Sequence, residues 1–265
     1  MAFLQTEIFS QILHMAVTVD VILPQPVKKE IGLDSGKERE DRYPVLWLLH
    51  GASDDYTIWQ RRTSIERYVA PMGLAVVMPN AHLSSYASMV HGGDFYRYVS
   101  EELPEILSQL FPLSRKREEN YIAGNSMGGY GAMKIGINKP DQYSVIGCFS
   151  AAAQDGSLRK NKGKVMEDKA WAMREFLLYG EKDMEGTLED TWHMAEKNAG
   201  RPHLPRIYHT CGTDDFLIED ARRTRDFFES MEGNPYGYIY REHEGVHDWE
   251  YWDRYVQEFL SFISG

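Results

Sequence analysis

The stretch Tyr121-Ile122-Ala123-Gly124-Asn125-Ser126-Met127-Gly128-Gly129 carries the strongest structural signal in the chain. Its first three residues form a short apolar run typical of a buried strand, and a pattern with helical spacing follows the serine. The small residues Gly124 and Gly128 leave room for a sharp turn between strand and helix. Such a turn would lift the Ser126 hydroxyl above a sheet and hold it at a helix N-terminus, whose dipole favours developing negative charge. We therefore predict that Ser126 is a nucleophile.

Similar apolar runs recur on both sides of this motif. Runs that are apolar at every position are typical of parallel strands covered on both faces. Helical patterns separate most of the runs, and this alternation indicates a doubly wound α/β sheet with right-handed crossovers. The predicted strands are Ile12–Leu23, Val45–Leu49, Leu74–Met78, Tyr121–Ala123, Tyr143–Phe149, Arg206–Cys211 and Tyr236–Arg241, and the predicted helices are Ile65–Ala70, Tyr96–Leu110, Met127–Lys139, Ile218–Met231 and Trp249–Ile263.

The length of the chain bounds its domain organisation. A domain of 265 residues can bury a sizeable core without disulfides or a structural metal. Roughly fifty residues separate the strand that ends at Phe149 from the one that begins at Arg206, and an unstructured loop of that length is uncommon. We predict a single domain over residues 1–265, with an inserted, cap-like helical segment at about 154–205. In an open α/β sheet it would lie over the carboxyl ends of the strands, where the site is expected.

Charge and cysteine content exclude several classes of function. A formal net charge of −11 without a basic stripe argues against nucleic-acid binding. No apolar stretch approaches the roughly 20 residues that a membrane-spanning helix needs. Two isolated cysteines, Cys148 and Cys211, are too few for a zinc site. The N-terminus lacks the features of a signal peptide, so we predict a cytoplasmic protein, with no nucleic-acid or membrane partner. The oligomeric state stays open, with a homo-oligomer among the alternatives.

A serine nucleophile needs a base that takes its proton and a carboxylate that orients the base. On a strand-to-helix elbow these partners follow the serine in the order acid, then histidine. His193 and His203 fall in the predicted insertion, and His209 lies inside a predicted strand. His243 and His247 both fall in the loop Glu242–His247, which follows the last predicted strand. We favour His247, which directly precedes the final helix, and keep His243 as the alternative.

The acid is expected just past the strand that ends at Cys211, where Asp214 and Asp215 are adjacent. Acids in this turn commonly stand three residues after its glycine, Gly212, which favours Asp215. Asp214 stays the alternative. The aspartate that is not the acid can cap the helix expected to begin near Leu217, because aspartate is a strong N-cap residue.

Acyl transfer also needs two N–H donors for the oxyanion. One is the backbone N–H of the residue after the nucleophile, Met127, and the other comes from the loop after the third strand. His50-Gly51-Ala52 occupies that loop, and we assign the second donor to the Ala52 N–H. His50 is expected to hold the loop through hydrogen bonds rather than to act as a base or metal ligand.

Together these pieces resemble the esterase D/tributyrin esterase family of α/β-hydrolases, which includes feruloyl-type esterases and S-formylglutathione hydrolases. The resemblance implies a mostly parallel sheet with helices on both faces. It also implies hydrolysis of short-chain carboxylic esters through an acyl-enzyme, with a small-molecule ester as partner and no metal or organic cofactor. The matching residues, which span nearly the whole chain, are His50-Gly51, Tyr98, Glu101-Glu102-Leu103-Pro104, Ser126-Met127-Gly128-Gly129-Tyr130-Gly131-Ala132, Cys211-Gly212-Thr213-Asp214-Asp215-Phe216-Leu217 and Gly245-x-His247-x-Trp249-x-x-Trp252.

Other functions remain as alternatives. Ser150-Ala151-Ala152-Ala153 stands where formylglutathione hydrolases usually carry a Cys-Asn-Pro-type segment, so a glutathione-thioester role is less favoured. A feruloyl or acetyl esterase acting on carbohydrate-linked esters is a second alternative, and a non-catalytic binding protein of the same fold is a third. Trp171 and Trp192 of the insertion either line an acyl or phenolic pocket or pack the insertion onto the sheet.

Overall fold

The computed structural model describes residues 1–25, 27, 31, 41–151, 154–156 and 169–264. The strands in these ranges are β1 (Ala2–Ser10), β2 (Met15–Leu23), β3 (Val45–Leu49), β4 (Ala75–Pro79), β5 (Asn120–Asn125), β6 (Val145–Phe149), β7 (Arg206–Gly212) and β8 (Ile239–His243). They form an eight-stranded sheet in the order β1-β2-β4-β3-β5-β6-β7-β8. The β1–β2 and β2–β4 pairs are antiparallel and the others are parallel, which confirms the mostly parallel sheet.

Helices connect the parallel strands. In the described residues they are α1 (Ile58–Arg62), α2 (Ile65–Val69), α3 (Phe95–Arg97), α4 (Leu103–Leu110), α5 (Met127–Asn138), α6 (Lys169–Tyr179), α7 (Thr191–Asn198), α8 (Ile218–Ser230) and α9 (Trp249–Ser264). Short 3₁₀ turns lie at Ala70–Met72 and Arg117–Glu119. All five predicted helices are present, and their outer ends differ from the prediction by at most one residue.

The side chains of β3 show how the sheet is buried on both faces. Val45, Trp47 and Leu49 pack into the cluster that contains apolar residues of α4, α5 and α8. Leu46 and Leu48 point to the opposite face and pack with α1, α2 and α9. Because successive side chains of a strand point to opposite faces, a strand covered on both sides must be apolar throughout. Full burial of each such side chain stabilises the folded state by roughly 1.5–3 kcal/mol.

The first strand, β1, is absent from the sequence prediction. It lies at the edge of the sheet and alternates between exposed and partly buried positions over most of its length. Phe3 and Phe9 stay largely exposed, while Gln5 and Glu7 interrupt the apolar pattern. A half-covered edge strand therefore lacks the continuous apolar run that marks the central strands.

The turn between β1 and β2 corrects the predicted strand Ile12–Leu23. The strand begins only at Met15, because the preceding residues turn the hairpin. The Glu102 carboxylate accepts hydrogen bonds from the backbone N–H groups of Gln11 (2.7 Å) and Ile12 (3.2 Å). Glu102, one of the residues that carry the family resemblance, therefore holds the β1–β2 turn.

The predicted helix Tyr96–Leu110 is present but not uniform. It begins with α3 and contains a π-helical stretch, Tyr98–Glu102, before α4. Pro104 has no N–H group, so it cannot donate to the carbonyl of Ser100 four residues earlier. The loss of that bond explains why the helix widens at this point.

The last strand begins later than the predicted Tyr236–Arg241. The Asn234 side chain accepts from the Tyr238 N–H (2.7 Å) and donates to its carbonyl (3.1 Å), and Gly237 has a φ of 47°. These bonds hold a turn over residues 234–238, and regular pairing with β7 begins only at Ile239. β8 consequently starts at Ile239 and reaches His243, which had been assigned to the following loop.

The segment predicted as an insertion contains α6 and α7, and its residues 157–168 lie outside the described ranges. A buried ion pair between Lys134 and Glu189 (2.8 Å) attaches this segment to α5. The indole of Trp192 stacks on Phe227 of α8, with ring centroids 4.7 Å apart. Trp192 therefore packs the segment onto the domain, whereas Trp171 on α6 is partly exposed.

Candidate active site

Ser126 occupies the sharp turn between β5 and α5. Its φ of 52° and ψ of −116° lie outside the regions that residues with a Cβ favour. Its N–H donates to the carbonyl of Phe149 at the end of β6 (2.8 Å), which fixes the turn against the neighbouring strand. Strain of this kind costs on the order of 1–3 kcal/mol and persists where the surroundings hold the backbone.

The glycines of the motif are required by close backbone contacts. A Cβ at Gly128 would stand 2.4 Å from the carbonyl oxygen of Leu49 and 2.7 Å from that of His50. A Cβ at Gly124 would stand 2.6 Å from the Gly128 carbonyl carbon. Because these neighbours are backbone atoms of the central strands and their connections, they cannot move aside.

His247 lies beside Ser126 in the loop between β8 and α9. Its Nε2 is 3.0 Å from Ser126 Oγ, and its Nδ1 is 3.0 and 2.9 Å from the two carboxylate oxygens of Asp215. The carboxylate can only accept when ionised, so Nδ1 carries the proton and Nε2 is free to accept one from the serine. The structure thus brings the three predicted residues together in one hydrogen-bonded chain.

Asp215 is 2% exposed and follows β7. Burial alone would raise the pKa of its carboxyl group, but hydrogen bonds from His247 and the Leu217 N–H (2.8 Å) outweigh burial and hold the pKa below its usual value. The group is therefore ionised at neutral pH. The alternative acid, Asp214, is exposed and accepts a hydrogen bond from the Thr213 hydroxyl (3.0 Å) instead.

The alternative base, His243, lies away from Ser126. As the last residue of β8, it stacks on the ring of Tyr255 with centroids 4.2 Å apart. Its Nε2 is 3.5 Å from the carboxylate of Glu258 on α9. His243 therefore belongs to the packing of the last helix.

The remaining downstream histidines are also placed elsewhere. His209 is buried in β7, where its Nδ1 is 2.8 Å from the Tyr238 hydroxyl and burial lowers its pKa to about 3. His193 on α7 and His203 are exposed to solvent. These positions agree with the structural roles expected of histidines in a strand or an insertion.

The two predicted oxyanion donors flank the serine. Met127 is the first residue of α5, and the first N–H groups of a helix have no acceptor within it. The loop His50-Gly51-Ala52 lies alongside, since a Cβ at Gly51 would stand 3.5 Å from Ser126 Cβ. The backbone of both segments therefore borders the space in front of the serine.

His50 holds this loop through hydrogen bonds, as predicted. Its Nε2 accepts a hydrogen bond from the Ala81 N–H (3.0 Å), so Nδ1 must carry the ring proton, which it donates to the Gly51 carbonyl (2.8 Å). Burial lowers the pKa of His50 to about 4, which keeps the ring neutral and this tautomer in place. A charged ring would lose the acceptor that fixes Ala81.

Tyr86 is a supporting residue that sequence reasoning missed. Its hydroxyl donates to the carbonyl of His50 (2.9 Å), and its ring is fully buried against Gly131 of α5. A Cβ at Gly131 would stand 2.4 Å from that ring, which explains a glycine inside the helix. The neighbouring Ser85 carbonyl accepts a hydrogen bond from buried Lys134 (3.0 Å). Because these contacts join segments distant in sequence, no local pattern could have indicated them.

Two further features bear on what the described part of the chain can do. Across the described ranges, no cluster of three or more His, Cys, Asp or Glu side chains is arranged to hold a metal ion. No helix within them is both long and apolar enough to cross a membrane.

A serine at a strand-to-helix elbow, a histidine and a buried carboxylate at the carboxyl ends of a mostly parallel sheet are the features of an α/β-hydrolase. The chain belongs to the esterase family whose model, described as "Putative esterase", matches residues 10–260.

Comparisons with whole proteins agree with this assignment. An acetyl esterase of Caldicellulosiruptor saccharolyticus is 29% identical over 276 residues, covering 100% of this chain and 98% of its own length. The solved structure of the fluorophosphonate-binding serine hydrolase FphF of Staphylococcus aureus is 30% identical to this chain, with a TM-score of 0.85. The match covers 100% of this chain and 98% of FphF. The solved structure of the S-formylglutathione hydrolase FrmB of Staphylococcus aureus is 29% identical, with a TM-score of 0.82. The match covers 100% of this chain and 99% of FrmB. The predicted family, fold and enzyme class, a serine hydrolase acting on esters, are thereby confirmed.

Proposed function

We propose that this enzyme is a carboxylesterase that hydrolyses short-chain acyl esters, with Ser126 as nucleophile, His247 as general base and acid, and Asp215 as the orienting carboxylate. The observation that carries the proposal is the unbroken chain from Ser126 Oγ through both nitrogens of His247 to Asp215, at 3.0 and 2.9 Å. A hydroxyl is a poor nucleophile unless an adjacent base accepts its proton, and this geometry supplies that base.

The proposed reaction has two halves. Ser126 Oγ attacks the ester carbonyl while His247 Nε2 takes the hydroxyl proton, and the N–H groups of Met127 and Ala52 stabilise the oxyanion. The tetrahedral intermediate collapses, the bond to the alkoxide breaks, and His247 returns the proton to the departing alcohol. Water then attacks the acyl-enzyme with His247 again as base, which releases the carboxylic acid and restores Ser126.

The neutral tautomer of His247 is central to both halves. Asp215 accepts the Nδ1 proton, so it keeps Nε2 free in the resting enzyme. When the ring becomes an imidazolium, the ionised carboxylate stabilises its charge without taking the proton itself. The low pKa of Asp215 supports this role because the carboxylate stays charged throughout catalysis.

The preference for short acyl chains rests on the whole-length relative named acetyl esterase. The acidic chain, with a net charge of −11, favours small neutral esters over anionic polymers. Glutathione thioesters are a second candidate, because FrmB resembles this chain over its whole length. Ser150, in place of the Cys-Asn-Pro-type segment, disfavours that candidate.

Organisation and location are part of the same proposal. We infer that the chain forms one hydrolase domain in which the segment at about 154–205 covers the site as a small cap. We also propose that the enzyme acts in the cytoplasm, on a small-molecule ester and without a cofactor.

A substrate panel tests the function. We expect p-nitrophenyl acetate and butyrate to give higher kcat/KM values than the octanoyl, feruloyl and S-formylglutathione substrates. Ser126→Ala should lower kcat by roughly a million-fold, the magnitude found when a nucleophile of this type is removed. Ser144→Ala is the matched control and should keep parental turnover, because Ser144 directly precedes β6, at the end of the sheet away from Ser126. Unchanged ester hydrolysis by Ser126→Ala would overturn the proposal.

A further inference from the structure

Arg174, on helix α6 of the inserted segment, binds groups on two other parts of the chain. Its Nη2 donates to the Ser85 hydroxyl (2.5 Å) and to the sulfur of Met127 (3.5 Å), and its Nε donates to the carbonyl of Leu83 (2.9 Å). The side chain is only 14% exposed, so these bonds are shielded from bulk water. A guanidinium carries its N–H groups in a rigid, planar fork, so one arginine fixes the relative positions of the groups that it binds.

One of these groups belongs to the residue after the nucleophile. The backbone N–H of Met127 is the first of the two proposed oxyanion donors, and the side chain of Met127 is buried against Arg174. A thioether sulfur accepts a hydrogen bond only weakly, so this contact supports the position of Met127 without fixing it alone. Arg174 therefore contacts the residue that forms one side of the proposed oxyanion site.

The other two groups lie in a loop after β4, residues 82–86, which we call the 82–86 loop. Its residues His82, Ser85 and Tyr86 have φ values of 48°, 50° and 52°, a region that residues with a Cβ rarely adopt. Such conformations persist only where surrounding contacts hold the backbone. Arg174 supplies two of these contacts through its bonds to a carbonyl and a hydroxyl of the loop.

The 82–86 loop in turn supports the second side of the proposed oxyanion site. The Tyr86 hydroxyl donates to the carbonyl of His50 (2.9 Å), the first residue of the oxyanion loop His50-Gly51-Ala52. Directly before the 82–86 loop, the Ala81 N–H donates to Nε2 of the same histidine (3.0 Å). The oxyanion loop carries the second proposed donor, so a shift of the 82–86 loop would displace that donor from the nucleophile.

We propose that Arg174 is a positioning residue for oxyanion stabilisation. It fixes Met127 and the 82–86 loop relative to each other, and thereby the two N–H donors that receive the developing negative charge. The inserted segment thus supplies a group that holds the backbone of the active site. This inference rests on the proposed function, because it assigns Arg174 a role only through the oxyanion of an attacked ester.

The docking of α6 does not depend on Arg174 alone. The N–H groups of Val90 and His91 donate to carbonyls in the last turn of the helix (2.9 and 3.0 Å). The ring of Phe176 also stacks on the imidazole of His91, with centroids 4.8 Å apart. A variant of Arg174 can therefore lose its bonds while α6 stays in place, which allows positioning to be tested separately from docking.

Kinetics of Arg174→Met test the proposal, because methionine keeps an unbranched stem beside the ring of Trp171 but has no N–H donor. Loss of the bonds should lower kcat roughly tenfold, while KM for p-nitrophenyl acetate changes less than twofold. Phe176→Ala, on the same helix, is the matched control and should keep parental kcat. Unchanged kcat in Arg174→Met, or an equal loss in Phe176→Ala, would overturn the proposal.

The affinity for a transition-state analogue distinguishes positioning from general support of the fold. When trifluoroacetone binds, Ser126 Oγ forms a bond to its carbonyl carbon, the carbonyl oxygen takes the electron pair as an oxyanion, and the serine proton passes to His247. Because this oxyanion needs both donors, the Ki of trifluoroacetone should rise in Arg174→Met by about the same factor as KM/kcat. A parental Ki in a variant with lowered kcat would contradict the positioning role.

Ser85→Ala tests the same bond from its other end and leaves α6 unchanged, so it remains decisive if Arg174→Met does not fold. We expect Ser85→Ala to lower kcat several-fold and to raise the Ki of trifluoroacetone equally. The double variant should lose less than the product of the two single losses, because both changes break one bond. Parental kcat in Ser85→Ala, or losses that multiply fully, would show that Arg174 does not act through the 82–86 loop.

The outcome for Ser126 distinguishes the two proposals. If Ser126→Ala abolishes turnover while Arg174→Met and Ser85→Ala keep parental kcat, the role of Arg174 is wrong and the proposed function stands. If Ser126→Ala keeps turnover, the proposed function itself is wrong.

Discussion

The Nε2 atom of His247 lies 3.0 Å from the Oγ atom of Ser126, although the two residues are 121 positions apart in the sequence. The proposed base and nucleophile are therefore in hydrogen-bonding contact before a substrate binds. Their contact depends on two turns at the carboxyl ends of the strands: the elbow after β5 and the loop after β8. The predictions that follow concern the groups that hold, orient or border this contact.

The first prediction distinguishes the two adjacent aspartates. Asp215→Asn should lower kcat by about four orders of magnitude, because an amide no longer fixes the productive tautomer of the histidine. Asp214→Asn removes the same charge from an exposed side chain and should retain turnover within a few-fold. Steady-state kinetics of the two variants on p-nitrophenyl acetate decides between them. The reverse pattern would assign the acid to Asp214.

The second prediction concerns the support of the oxyanion loop. His50→Leu leaves the Ala81 N–H and the Gly51 carbonyl without their partner, so we expect kcat to fall roughly 10- to 100-fold with a smaller change in KM. His209→Leu is the matched control, since it also removes a buried, hydrogen-bonded histidine, and should lower stability without lowering kcat. Equal losses of kcat in both variants would contradict the assigned role of His50.

The third prediction concerns the leaving group. Phe216 is 76% exposed, and its ring centroid is only 4.4 Å from that of His247. Because the proposed mechanism has His247 deliver the proton to the departing alcohol, a ring beside it should contact that alcohol. Phe216→Ala is expected to raise KM several-fold for phenyl acetate but not for ethyl acetate, while Phe9→Ala, on the edge strand, changes neither. Equal effects on both esters would contradict this contact.

The fourth prediction concerns pH and stability. Burial, followed by repulsion from Asp55, raises the pKa of Asp20 in β2 to about 6 from its ordinary value of 3.8. A raised pKa means that the folded state favours the protonated carboxyl, so its stabilising contribution is complete below pH 3.8 and is lost as the pH rises through about 6. Asp20→Asn cannot ionise, and its melting temperature should therefore gain on the parent by a few degrees between pH 4 and 7.5. Asp214→Asn is the exposed control, and a pH-independent difference for Asp20→Asn would contradict the account.

Much of the fold could be predicted because the central strands are buried on both faces. Continuous apolar runs such as Val45–Leu49 mark these strands without knowledge of their neighbours. The edge strand β1 carries no such run, since water covers part of it. The start of β8 depends on the Asn234 side chain, whose two bonds to Tyr238 involve no periodic pattern.

The candidate site, like the fold, could be predicted from the sequence only in part. Ser126 and His247 stand in local motifs whose backbone geometry demands glycine or a turn, so the sequence points to them directly. Asp214 and Asp215 are indistinguishable by residue type, and burial separates them only once the chain is folded. A supporting residue such as Tyr86 acts through a contact between distant segments and leaves no local signal.

The most direct test of the central claim is the mass spectrum of the enzyme after reaction with a fluorophosphonate probe. Attack by the activated serine would form one P–O bond with loss of fluoride, so a single adduct should appear and map to the peptide that contains Ser126. We expect no adduct in Ser126→Ala, and labelling at least several hundred-fold slower in His247→Ala, which lacks the base. An adduct on another residue, or parental labelling of Ser126→Ala, would contradict the assignment of Ser126 as the nucleophile.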